Sequence, residues 1–142
     1  MVSKLVVHVP HASTVIPDGA WTEFLVSRQE VEAEALASAD LYTDEMARQA
    51  WPHARIVEAE VSRIVVDVER YEDDSREEMS EVGRGVIYTC DHLMRPLRRP
   101  MIGARREELL ERYYRQHWKR LRSEAADAVL VDLHTYPAAP WP

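Results

Sequence analysis

The sequence predicts an α/β protein with a doubly wound, largely parallel sheet, folded as one domain over residues 1–142. Two near-continuous apolar runs, 5–9 and 128–134, are typical of strands buried on both faces. Between them, segments with helical spacing of apolar residues alternate with further β-branched runs, which is the order expected of an α/β fold. A chain of 142 residues suits a single domain.

The predicted strands are β-branched apolar runs bounded by turn-forming or charged residues. They span residues 5–9, 54–61, 64–68, 86–89 and 128–134. Pro10 stops the first run, and the Pro, Ser and Gly content of 11–19 predicts a loop after it. Seven acids against two arginines in 69–81 predict a second, solvated loop.

Two helices are predicted. Ser27 can cap the first, because Glu30 three residues later completes a capping box. We expect this helix to run to about Ala50, just before Pro52. The second is expected over 105–123, where apolar residues recur on one face.

Composition narrows the class of function. Lys and Arg number 18 and Asp and Glu 25, so the net charge is −7 and nucleic acid is not an expected partner. Cys90 is the single cysteine, which excludes an intrachain disulfide. No apolar run approaches the ~20 residues of a membrane span, and no signal peptide is recognisable. We therefore expect a soluble cytoplasmic protein.

Two apolar strands end in histidine. His8 and His11 lie at the end of the first, and His134 closes the last. Because the carboxyl ends of parallel strands share one edge of a sheet, the imidazoles of His11 and His134 can meet there. Imidazole is a common zinc ligand, and a catalytic zinc needs three protein groups. The alternative is that each is simply a polar residue where a strand meets solvent.

A carboxylate pair on the first helix offers the third ligand. Asp40 and Asp44 are four residues apart and therefore on one helix face, beside apolar residues. Two acids on such a face need a cation, either a metal or an arginine. The alternative is an exposed edge on which Asp44 pairs with Arg48.

Arginines flank the run 64–68. The forked guanidinium groups of Arg63 and Arg70 are suited to binding a substrate carboxylate. Ion pairs with the nearby acids are the alternative, above all for Arg70. His117 lies on the apolar face of the second helix, a position that by itself favours a core role.

Six segments, taken in order, resemble the N-formylglutamate amidohydrolase family. They are His8-Val-Pro-His11-Ala-Ser-Thr-Val-Ile-Pro17, Ala39-Asp40-Leu-Tyr-Thr-Asp44, Ser62-Arg63-Ile-Val-Val-Asp67-Val-Glu69-Arg70, Gly85-Val-Ile-Tyr88-Thr89, Tyr113-Tyr114-Arg-Gln-His117 and Asp132-Leu-His134-Thr135. The resemblance implies the zinc carboxypeptidase, or phosphorylase/hydrolase-like, fold. It also implies metal-dependent hydrolysis of the N-acyl amide of a small acylated amino acid, typically N-formylglutamate.

For the metal, the resemblance implies a single zinc ion. Its ligands would be His11, Asp40 and His134, with Asp44 as the other candidate for the carboxylate. Water made nucleophilic by zinc would attack the amide carbon.

For the substrate, the resemblance implies two arginines and two neutral groups. Arg63 and Arg70 would bind substrate carboxylates or polarise the scissile carbonyl. Tyr88 would join them in binding substrate, while His117 would act in the pocket, with Arg63, as a catalytic residue.

Two of the departures of this chain from the family pattern bear most directly on function. Glu69 stands where the family usually has Asn. Family members are also considerably longer, and the glutamate expected as their general base lies in their second half. We therefore expect the domain to be C-terminally truncated relative to the family. A catalytically impaired relative that binds a metal or ligand, or a half that completes its sheet as a homo-oligomer, are the alternatives.

Overall fold

A computed structural model describes residues 3–139. Its sheet has three strands, β1 (Lys4–Val9), β2 (Arg55–Glu58) and β3 (Ala128–Asp132), in the order β2-β1-β3. Both pairings are parallel, as predicted. β1 suits the central position because its last four residues, which include three valines, are all buried and the strand is covered on both faces.

The helices flank this sheet. They are α1 (Arg28–Ser38), α2 (Thr43–Ala50), α3 (Gly103–Leu109) and α4 (Gln116–Ala125). Side chains alternate along β1, so that Val7 packs with Ala47 of α2 while Val6 packs with Leu121 of α4. The doubly wound α/β class is therefore confirmed. Among residues 3–139, no helix combines the length and apolarity needed to cross a membrane.

The first predicted helix is two helices. Ser27 and Glu30 form the predicted capping box at the start of α1, but the chain leaves the helix after Ser38. Tyr42 is left-handed, with φ of 66°, and the Asp40 N–H donates to the carbonyl of His11 at 2.8 Å. This tertiary hydrogen bond replaces a helical one, so Asp40 and Asp44 do not share a helix face.

The second predicted helix extends beyond its expected ends. α3 and α4 are joined without a break by a π-helical stretch, Leu110–Arg115. Leu109 and Leu110 are buried on one side of this long helix and Leu121 further along it. A π-helical turn carries an extra residue, which changes the direction in which later side chains point.

Two predicted strands are wrong. Residues 64–68 and 86–88 are buried and Thr89 is half-buried, but neither segment forms a strand. The Val65 N–H donates to the carbonyl of Ser62 at 2.9 Å in a turn, and the Asp67 N–H reaches the carbonyl of Val86 at 2.8 Å. The side chains of Ile64 and Val65 enter two different core clusters. The β-branched residues of these segments are therefore buried, but they do not form hydrogen-bonded strands.

Candidate active site

The ends of β1 and β3 bring the two predicted histidines together. The ring centroids of His11 and His134 are 5.4 Å apart. Asp40 lies between them, with Oδ2 3.6 Å from Nδ1 of His11 and 3.1 Å from Nδ1 of His134. One potential ligand atom from each of the three lies within 4.8 Å of the others. The break between α1 and α2 is what allows Asp40 to occupy this place.

A second carboxylate supports each histidine from behind. Nε2 of His11 is 2.7 Å from Oδ1 of Asp67, and Nε2 of His134 is 3.1 Å from Oδ2 of Asp132. When each Nε2–H donates to its carboxylate, both Nδ1 lone pairs face Asp40. Within residues 3–139, the buried Nδ1 of His11 has no hydrogen-bond partner. Three electron-rich atoms then converge, and a proton or a metal cation between them would relieve their repulsion.

The charges around His11 agree with this arrangement. Burial alone would lower the pKa of His11, but the carboxylates of Asp40 and Asp67 outweigh it and raise that pKa. Burial would raise the pKa of Asp40, yet His11 and Arg63 hold it below its usual value. A proton shared between His11 and Asp40 would occupy the place of a bound metal ion, because a metal ion must displace this proton in order to bind.

Asp67 is the centre of a buried network. It is 0% exposed, and its Oδ2 accepts the Tyr88 hydroxyl at 2.6 Å and the Arg63 Nε and Nη2 at 3.1 and 3.0 Å. Oδ1 accepts the Glu69 N–H at 3.0 Å and faces His11. Although burial opposes ionisation, His11 and Arg63 hold the pKa of Asp67 well below its usual range. The same burial, with the Asp67 charge, raises the pKa of Tyr88 to about 12, so its hydroxyl remains a donor.

The two predicted arginines differ in their surroundings. Arg63 is engaged by Asp67, by the Tyr88 hydroxyl at 3.0 Å and by the carbonyl of Ser38 at 3.4 Å. Arg70 has its Nε 3.7 Å from Oδ2 of Asp67, and this buried nitrogen has no hydrogen-bond partner within residues 3–139. Arg70 is therefore the arginine with the greater capacity to accept an anionic ligand.

The long helix fixes the segment that carries Arg70. The Tyr114 hydroxyl, within the π-helical stretch, donates to the carbonyl of Arg70 at 2.8 Å. One helical turn later, the Trp118 indole N–H donates to the carbonyl of Val68 at 2.9 Å. Residues 68–70 have no regular secondary structure, so these two hydrogen bonds supply the support that a ladder would otherwise give.

A second cluster adjoins the first. Nδ1 of His8 lies 2.8 Å from Oδ1 of Asp132 and 3.3 Å from Oε1 of Glu69, and its Nε2 lies 2.8 Å from Nε2 of His117. Burial would lower the pKa of His8, but the two carboxylates raise it, whereas burial and the His8 charge lower the pKa of His117 to about 3. The contact between the two Nε2 atoms is a hydrogen bond in which one ring donates and the other accepts.

A cavity of about 840 Å³ lies beside the His11–Asp40–His134 cluster. Its charged and ligating residues are His11, Asp40, Arg63, Glu69, Arg70 and His134. The remaining walls come from residues 37–41 and 135–137. A volume of this size accommodates a small molecule with room for solvent.

The other predicted site residues lie elsewhere. Tyr88 is fully buried and contacts Asp67, and His117 contacts His8; neither residue lines the cavity. Asp44 lies in the first turn of α2 and pairs with Arg48 at 3.3 Å. It contributes nothing to the His11–Asp40–His134 cluster.

Sequence reasoning assigned no role to three residues that hold the site together, namely Asp67, Asp132 and His8. His8 was noted only as a histidine at the end of a strand. One signal was present for Asp67, which lies four residues after Arg63. For Asp132, the pairing register that sets it opposite His8 was needed.

A parallel α/β sheet with a histidine–carboxylate cluster at its strand ends defines a class of proteins that bind ligands at that edge. Comparison with known families identifies the protein family within this class. The family model of N-formylglutamate amidohydrolase matches residues 3–142, and the chain belongs to this family. A search of curated proteins found no match.

A solved structure gives the same fold. The crystal structure of N-formylglutamate amidohydrolase from Ralstonia eutropha JMP134 is similar to this chain, with a TM-score of 0.79 at 19% sequence identity. The similarity covers 95% of this chain and 54% of the Ralstonia chain. The chain therefore spans about half the length of that relative, and at this identity the likeness establishes the fold alone.

Proposed function

We propose that this chain binds one zinc ion through His11, Asp40 and His134 and hydrolyses the N-acyl amide of a small acylated amino acid, such as N-formylglutamate. Family membership supports the reaction class. The observation that carries the proposal is the buried Nδ1 of His11, which has no hydrogen-bond partner within residues 3–139 and faces Asp40.

The donor set fits zinc. Two imidazoles and one carboxylate form a ligand combination found in catalytic zinc sites. Each imidazole also has a carboxylate at its other nitrogen, Asp67 or Asp132, and this is the support that zinc-binding histidines usually have. When bound, zinc would lower the pKa of a water molecule and polarise the amide carbonyl.

The substrate groups are assigned to the arginines. Arg70 would bind the carboxylate of the acylated amino acid, since its buried Nε has no hydrogen-bond partner in residues 3–139. Arg63 lines the cavity and is oriented by Asp67 and Tyr88, so its positive charge is fixed before the substrate arrives. A fixed charge of this kind stabilises the negative charge that develops on the carbonyl oxygen.

The test compares two histidine variants. Purified protein is loaded with zinc, its metal content is measured by mass spectrometry, and release of formate from N-formylglutamate is followed. We expect His134→Ala to lose both zinc and hydrolysis. His53→Ala is the matched control, because His53 is exposed and outside the cluster, and it should lose neither.

Two results would contradict the proposal. Wild-type protein that retains no zinc would overturn the metal assignment. Protein that binds zinc but hydrolyses no formylated amino acid would contradict the proposed activity and favour the alternative of a catalytically impaired relative that binds a metal.

A further inference from the structure

One carboxylate that lines the cavity does not belong to the His11–Asp40–His134 cluster. Of the acidic residues in 3–139, two line the cavity, Asp40 and Glu69. Asp40 faces the two histidines, which leaves Glu69. Its side chain is 25% exposed, so it is open to the cavity and still largely enclosed by protein.

Glu69 is held at both ends. Its backbone N–H donates to Oδ1 of Asp67 at 3.0 Å, and its Oε1 lies 3.3 Å from Nδ1 of His8. His8 is itself fixed by Asp132 and His117. Oε2 of Glu69 makes no hydrogen bond or ion pair within the described part of the chain, and this oxygen is free to accept a proton.

Glu69 also lies near the His11–Asp40–His134 cluster, through Asp132. Its carboxylate is within 4.8 Å of the ligand atom of Asp132, and Asp132 contacts the ring of His134 at 3.1 Å. Arg70, the proposed carboxylate-binding group, is the next residue in the chain. Glu69 therefore lines the same cavity as Arg70 and the three proposed metal ligands.

We propose that Glu69 is the general base and acid of this site, an inference that rests on the proposed function. Oε2 takes a proton from the attacking water while the water oxygen bonds to the amide carbon and the C=O electron pair moves to oxygen. When the C–N bond breaks, its electron pair stays on nitrogen, and Glu69 returns the proton to that nitrogen. The products are a carboxylic acid and a free amino group, and Glu69 is again a carboxylate.

His8 is a positioning residue in this scheme. It contacts Glu69 through Oε1 and does not line the cavity. Its contact keeps one carboxylate oxygen occupied and leaves the other for proton transfer. The buried His8–His117 pair would thus serve the reaction indirectly, which gives His117 a role without substrate contact.

The experiment uses the zinc-loaded full chain and two pairs of variants. Glu69→Gln keeps the volume and removes the charge, and Glu69→Ala opens a space. The matched controls are Glu78→Gln and Glu78→Ala, because Glu78 is an exposed acid nearby in sequence. For each variant kcat, KM, zinc content and the unfolding midpoint are measured, and sodium azide is added as a small external base.

The expected result is a loss confined to turnover. Glu69→Gln should lower kcat by about 10²–10⁴-fold, which is the usual contribution of acid–base catalysis. KM, zinc content and the unfolding midpoint should stay close to wild type. Azide should restore part of the activity of Glu69→Ala and none of the activity of His134→Ala. The Glu78 variants should behave as wild type.

Several results would overturn the inference. A kcat for Glu69→Gln within about tenfold of wild type would exclude proton transfer by this group. A raised KM with unchanged kcat would make Glu69 a substrate-binding residue instead, and loss of zinc would make it a metal ligand. Zinc-loaded wild-type protein with no activity would overturn the proposed function and this inference together, whereas an active wild type isolates the failure to Glu69.

Discussion

Replacing Asp67 by Asn tests the network behind the site. The carboxylate accepts on both oxygens, from His11 and the Glu69 N–H on one side and from Arg63 and Tyr88 on the other. An amide has the same shape but only one accepting oxygen. Whichever way the substituted amide turns, its NH₂ group faces a donor, either the His11 ring N–H or the Arg63 and Tyr88 pair.

The cost follows from burial. Asp67 is completely buried and the Arg63 side chain is 14% exposed, so the variant leaves a mostly buried guanidinium without its counter-charge. Breaking a buried pair in this way costs about 3–5 kcal/mol. Domains of this size are stable by about 5–15 kcal/mol, so the variant should be destabilised yet able to fold. Loss of the carboxylate behind His11 should also weaken zinc binding by about 10- to 100-fold.

Two assays measure these effects. Urea unfolding followed by circular dichroism gives the free energy of unfolding, and competition with a chromophoric chelator gives the zinc affinity. Asp44→Asn is the control, because its exposed pair with Arg48 should contribute only about 0.3–0.5 kcal/mol. A loss of stability for Asp67→Asn no greater than for Asp44→Asn, with unchanged zinc affinity, would refute the reasoning.

Three further changes test the fold. Ser27→Ala removes the hydroxyl that accepts the Glu30 N–H at 3.2 Å, and urea unfolding should show a loss of about 1 kcal/mol. Glu23→Gln removes the charge that holds the fully buried Arg98 and should cost about 3–5 kcal/mol in the same assay. Asp91→Asn tests pH dependence. Burial raises the pKa of Asp91, but backbone and side-chain hydrogen bonds from Arg95 outweigh it and lower that pKa. The advantage of wild type over Asp91→Asn should therefore be full at pH 7 and shrink as the pH falls below about 4.

Each of these has a contrary outcome. A Ser27→Ala variant as stable as wild type would mean that the capping box contributes nothing to α1. Equal stability of Glu23→Gln would mean that the carbonyls of Ile64 and Val65, which also accept from Arg98, suffice to stabilise it. A difference for Asp91→Asn that persists unchanged to a pH of about 3, well below the ordinary Asp pKa, would place its origin outside ionisation.

The sequence predicted the edge of the sheet where the site lies. His11 and His134 follow apolar runs that became β1 and β3, and a parallel sheet sets the carboxyl ends of its strands on one edge. What local pattern could not supply was that β1 and β3 are neighbours. Strand order depends on contacts between residues far apart in the chain and not on the composition of either run.

Asp40 and Asp67 show why the other parts of the site could not be predicted from the sequence. Helical spacing continued through Asp40, but a hydrogen bond from its N–H to His11 overrides that propensity and ends α1. Around Asp67, the β-branched run indicated a strand because such residues are enriched in strands, but here the run is buried in a turn. In each case a tertiary contact, absent from any local window, decides the local structure.

The π-helical stretch determines the direction, around the helix axis, in which the side chains of the following residues point. Successive residues of an α-helix are about 100° apart around the axis, so removing the one extra residue of the π turn would rotate the following half of the helix by about that angle. Leu109 would keep its place in the core. Trp118, which holds Val68, and His117, which contacts His8, would turn away from their partners. A single-residue deletion on the exposed side, such as that of Arg112, would thus leave a helix of normal appearance and dismantle the support of Glu69 and Arg70.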